Sequence, residues 1–85
     1  MKRNEFIEWL ETRSGFSKEW SAENNDTWWK ELVDYGEYIY DELSVETDNV
    51  TFMWEEFYWG GRETKSRELS FEEFIERYNN YELKY

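Results

Sequence analysis

Six tryptophans, seven tyrosines and six phenylalanines stand among 85 residues that include no cysteine, no histidine and no proline. A chain this short is near the size at which a single core just suffices. Disulfides and thiolate metal sites cannot help hold it together. Ring packing must therefore supply the stability, each ring burying about 150–250 Å². So many periodically placed aromatics predict a folded chain, although 36% of its residues are charged. No linker, repeat or low-complexity run divides it, so residues 1–85 are expected to form one compact domain.

Charge is the second constraint. The formal net charge is −11, and its source is local. Between residues 21 and 49 lie Glu23, Asp26, Glu31, Asp34, Glu37, Asp41, Glu42, Glu46 and Asp48, against the single base Lys30. Like charges crowded onto one segment repel, and a fold that keeps them is expected to use them against a basic surface. The same excess argues against direct DNA or RNA binding and against anionic membranes, which need a basic footprint. No stretch is long and apolar enough to cross a bilayer, and Met1-Lys2-Arg3-Asn4-Glu5 leads into a charged amphipathic segment rather than a signal core. A soluble, cytoplasmic protein is the expectation.

Local patterns predict an α+β domain: two N-terminal helices, a small antiparallel hairpin sheet of two or three strands, and a C-terminal helix packed on one sheet face. Residues 5–13 place Phe6, Ile7, Trp9 and Leu10 on one side at helical spacing, with Asn4 as N-cap and Gly15 suited to a left-handed C-terminal position. Within 16–25, Ser17 is expected to cap a short turn containing Trp20, and Asp26 to cap the next helix. Residues 27–43 read as the strongest helix, about 25 Å long. Its apolar arc would run from Trp28 to Leu43, with Gly36 in that arc for close approach of another backbone. Glu31, Asp34, Glu37, Asp41 and Glu42 would fill the opposite side, interrupted only by Tyr38.

Residues 50–59 are β-branched and aromatic, and Gly60-Gly61 suits a two-residue turn. Folding 62–69 back predicts Trp59 opposite Arg62, Glu56 opposite Lys65, Trp54 opposite Arg67 and Phe52 opposite Leu69. Residues 43–47 would add a short third strand. Ser70 with Glu73 is a capping box, and Leu69 with Phe74 has hydrophobic-staple spacing, so a helix is expected over 71–79.

Catalytic chemistry finds no credible residues. Glu55 and Glu56 are adjacent on an expected strand and point to opposite faces, so they could not flank one glycosidic bond. The calcium-loop pattern is missing around Glu46, Asp48 and Asn49, and Gly60-Gly61 lacks the context of a phosphate loop. Neither a metal nor another cofactor is expected. Binding residues are expected instead at Glu31, Asp34, Glu37, Tyr38, Asp41, Glu42, Glu46 and Asp48, with Tyr38 an aromatic anchor in an acidic field.

Small size, absence of cysteine, strong acidity and dense aromatics resemble the composition of phage-encoded DNA-mimic inhibitors, such as anti-restriction and anti-CRISPR proteins, and of acidic immunity proteins against nucleases. The likeness is one of composition and carries no motif from residue to residue. It implies a stoichiometric inhibitor whose carboxylates occupy the nucleic-acid-binding surface of a basic protein, a nuclease or effector. Two other readings stand beside it. One is a small structural or adaptor domain whose partner reads the hairpin; the other is a carbohydrate-binding module with Trp54, Trp59 or Trp20 exposed in a row.

Overall fold

The computed structural model describes residues 1–20, 26–34 and 37–84, and at Val33, Asp34, Glu37 and Tyr38 the backbone alone. Helix α1 (Arg3–Trp9) continues as a π-helical turn (Leu10–Ser14). Five strands follow, β1 (Ser17–Lys18), β2 (Thr27–Asp34), β3 (Glu37–Val45), β4 (Asn49–Tyr58) and β5 (Gly61–Ser70), and helix α2 (Phe71–Asn79) comes last. The strands form one antiparallel sheet in the order β1-β2-β3-β4-β5.

The largest correction concerns the helix expected over 27–43: residues 27–34 and 37–43 are strand. They belong to a hairpin in which Trp28 pairs with Leu43, Lys30 with Asp41, Leu32 with Ile39 and Asp34 with Glu37. Among the described residues, one N-terminal helix and five strands therefore stand where two N-terminal helices and a sheet of two or three strands were expected. Thr27, Trp28, Trp29, Val33, Tyr38, Ile39, Tyr40 and Val45 are all β-branched or aromatic, types that suit a pleated surface better than a helix. Period-two alternation sorts the hairpin as well as the wide helical arc does. On β3, Asp41, Leu43 and Val45 are buried, whereas Tyr40 and Glu42 are exposed. Gly36 lies outside the described residues.

Other expectations shift by smaller amounts. The first helix starts at Arg3 after Lys2, so Asn4 lies within it rather than capping it, and Gly15 ends the helical segment at φ 77°. Ser17 begins the two-residue strand β1 and does not cap a turn. Asp26 precedes a strand, and its carbonyl accepts from the Val45 N–H at 2.7 Å. In the second hairpin the register is two residues off the expected one: Phe52 stands opposite Arg67 and Trp54 opposite Lys65. Positive φ occurs at Gly60 (94°) and not at Gly61, so the turn is Trp59-Gly60, as a type II turn requires at its third residue. A shift of two keeps every side chain on its face. Two of the four expected contacts survive as diagonals, Arg67 lying 5.8 Å from the Trp54 ring and Lys65 4.0 Å from Glu56.

Helix α2 begins where its cap demands, with Ser70 Oγ accepting from the Glu73 N–H at 3.1 Å. Both helical segments pack on one face of the sheet. Phe74 is the hub, its ring 5.7 Å from Phe6, 6.2 Å from Phe16 and 5.9 Å from Phe52, all in edge-to-face geometry. Phe6 stacks on Phe71 at 4.8 Å. The Tyr78 hydroxyl donates to the Ser14 carbonyl at 2.6 Å and ties α2 to the π turn. Among the described residues no helix is long and apolar enough to cross a membrane.

Candidate binding face

Because the helices cover one side of the sheet, the other side carries every second residue of each strand, and among the described residues no helix lies over it. Register places these residues in cross-strand rows. Thr27, Ser44, Thr51 and Glu68 make one row, and Trp29, Glu42, Met53 and Ser66 the next. Beyond them come the pair Glu31 and Tyr40 on β2–β3 and the pair Glu55 and Thr64 on β4–β5. The face therefore holds one glutamate on each of four strands, Glu31, Glu42, Glu55 and Glu68, around Trp29, Tyr40 and Met53. The Trp29 and Tyr40 rings meet edge to face at 5.3 Å, which fixes the orientation of the half-exposed tyrosine.

Basic residues are largely absent from this face. Lys30 points to the helix side, with its ammonium 5.7 Å from the Tyr78 ring and 6.0 Å from the Phe16 ring. Lys65 and Arg67 share the parity of buried Leu69, hence the helix side as well. Arg62 stands opposite Phe57 on the open side, and its Nη1 donates to Glu55 Oε2 at 3.4 Å.

The face is not continuous. β3 and β4 pair over four positions, from Val45 with Val50 to Glu42 with Met53, and beyond that point the ladder stops although both strands run on. The β2–β3 and β4–β5 hairpins splay there and leave a cleft of about 360 Å³. Tyr40 and Glu42 line it from β3, Met53 and Glu55 from β4, and Arg62 and Thr64 from β5. A second hollow of about 310 Å³ lies on the other side of Tyr40, against Trp29 and the exposed Trp20.

The expected binding residues separate in space. Glu31 and Glu42 stand on the open face, and Glu46 and Asp48 are exposed at the turn between β3 and β4. Asp41 lies on the opposite side, 8% exposed, with the Lys84 ammonium 3.1 Å away. Burial pushes its carboxyl pKa up, against the lowering pull of Lys84 and the weaker one of Lys30. The side chains of Asp34, Glu37 and Tyr38 lie outside the described residues. The line of five carboxylates along a helix is thus replaced by a two-dimensional patch. Trp29, Met53, Glu55, Glu68 and Arg62 belong to that patch and were missed; strict alternation within 27–34 is the signal that would have found Trp29, and alternation along 49–58 and 61–70 the other four.

Glu55 and Glu56 do diverge. Glu55 faces the open side with Arg62, while Glu56 accepts from Trp54 Nε1 at 3.2 Å and lies 4.0 Å from Lys65. Trp54 is buried, so it cannot join Trp20 and Trp59 in an exposed row for a sugar. Comparison with protein-family models, curated proteins and solved structures finds no match to this chain.

Proposed function

We propose that this domain works by stoichiometric binding rather than catalysis, and that its open sheet face docks on the basic nucleic-acid-binding surface of a protein, a nuclease or effector, which it inhibits. One observation carries the reading: four strands each present a glutamate beside Trp29, Tyr40 and Met53, and the bases of β2 and β5 are turned to the helix side except for Arg62. A solvated sheet face normally intersperses both signs of charge. One-signed charge around aromatic anchors instead complements a Lys- and Arg-rich groove, gaining association rate from steering and affinity from desolvated rings. The composition resembling DNA-mimic inhibitors agrees with this.

The exposed tip of the second hairpin favours a second reading. Phe57, Tyr58 and Trp59 all stand in solvent, and Trp59 is 101% exposed on its turn. An adaptor domain would present such a tip to an apolar pocket of its partner. Capture of basic proteins from a host lysate at low salt, followed by addition of DNA or RNA, separates the two. Under inhibition by occupancy, nucleic acid and this protein displace each other. A stable ternary complex, or capture lost on Trp59→Ala but not on charge reversal of the face, transfers the function to the tip.

A further inference from the structure

Resting on the open-face reading above, we infer that the cleft between the splayed hairpins is a guanidinium pocket, which takes one arginine side chain of the basic partner. Its walls suit that group better than an ammonium. Glu42 and Glu55 come from neighbouring strands on either side of the gap, the Tyr40 ring forms one wall, and Met53 lies beside them. A guanidinium is planar and weakly hydrated, and it accepts carboxylates at its edge and aromatic or thioether surface on its faces. Lysine is a compact, strongly hydrated point charge that gains little from such walls. The volume of about 360 Å³ leaves room for a side chain entering from solvent.

A guanidinium of the chain itself already visits the site. Arg62 lines the cleft and touches Glu55 at the long distance of 3.4 Å, with its side chain 61% exposed, so the pair is weak and easily exchanged. Among the described residues Glu42 takes part in no ion pair. The pocket is half used by an internal group that can swing into water. An incoming arginine would take Glu42 and the Tyr40 ring, and would compete with Arg62 for Glu55. Removing Arg62 should therefore strengthen arginine binding specifically.

Amide shifts of the isotope-labelled full chain test this, with Gly-Arg-Gly and Gly-Lys-Gly amides as probes. The arginine peptide should shift residues 40–42 and 53–55 and bind at least about threefold tighter than the lysine peptide. Tyr40→Ala and Glu42→Gln should each weaken it about twofold to fivefold. Arg62→Ala should strengthen arginine binding more than the charge-matched Arg13→Ala does, and should treat the lysine peptide as Arg13→Ala does. Dispersed spectra verify that each variant is folded. Equal binding of the two peptides, with shifts spread over the whole face, overturns the pocket and leaves the open-face reading standing. If neither peptide shifts any residue of the face, both fall.

Discussion

Lys84 reaches over the helix side of the sheet and sets its ammonium 3.1 Å from the carboxylate of Asp41, a buried residue of the central strand β3. The contact pins the end of the chain across the core, helped by Arg67, whose Nη1 donates to the Leu83 carbonyl at 3.1 Å. Even with Lys84 present, burial raises the Asp41 pKa above the ordinary aspartate value. The folded state then holds that proton more tightly than the unfolded chain does. Its stabilising effect is complete below the unfolded pKa of about 3.9 and is lost as pH rises through the folded pKa.

At neutral pH the ionised Asp41 therefore costs stability. Asp41→Asn should unfold at the same urea concentration as the parent or a higher one at pH 7, and any advantage should vanish below about pH 4. Lys84→Met should act oppositely, destabilising by roughly 1 kcal/mol at pH 7 once partial solvent exposure of the lysine is allowed for. That loss should disappear when Lys84→Met is combined with Asp41→Asn. A lowered midpoint for Asp41→Asn alone would make the carboxylate a net stabiliser and reverse this account.

Phe74 is fully buried and touches the rings of Phe6, Trp9, Phe16 and Phe52. Phe74→Ala should cost about 3–5 kcal/mol in chemical denaturation, enough to unfold much of a domain this small. Leu32 is only partly buried on β2, and Leu32→Ala should cost far less than the roughly 2–5 kcal/mol of a buried leucine. Equal losses at the two positions would contradict the hairpin, since the helix expected from sequence for residues 27–43 buries Leu32.

Where a local signal had a single structural solution, the sequence was legible. Ser70 followed by Glu73, with Leu69 and Phe74 around them, admits only a helix start, and α2 begins there. Gly15 ended the first helix for an equally local reason. Residues 27–43 had two solutions, because an apolar arc as wide as about 160° is also compatible with alternation on two short strands. The β-branched and aromatic content of that segment should have decided it. The acidic character of the site was legible from composition, but which carboxylates share a face depends on strand register, and register is a tertiary fact. Asp41 and Glu42, neighbours in sequence, consequently end on opposite sides of the sheet.

The position of the second turn gives a test between two adjacent glycines. Gly60 has φ 94°, where an L side chain is strained, although nothing within 4 Å would meet its Cβ. Gly60→Ala should cost about 1–2 kcal/mol from backbone alone. Gly61 has no positive φ, and a Cβ there would lie 3.6 Å from the Tyr58 ring, an ordinary contact. Gly61→Ala should be neutral or stabilising by up to about 1 kcal/mol. The reverse ranking would restore the Gly60-Gly61 turn expected from sequence.

Binding through the open face makes the position of charge matter, beyond its amount. Reversing Glu31, Glu42, Glu55 and Glu68 to lysine changes the net charge by eight, as does reversing Glu8, Glu11, Glu72 and Glu76 on the helices. Both sets are surface positions, so circular dichroism should show both variants folded. Long-range attraction is weakened equally in the two, and a Debye length of about 8 Å at physiological salt mutes it further. Contact energy is lost only in the first. Capture of the basic partner should vanish with the open-face set and survive with the helix set, showing a slower association and little change in dissociation rate. Equal loss in both would reduce the acidic patch to bulk charge, and intact binding after reversal of the open face would move the interface to the Trp59 tip.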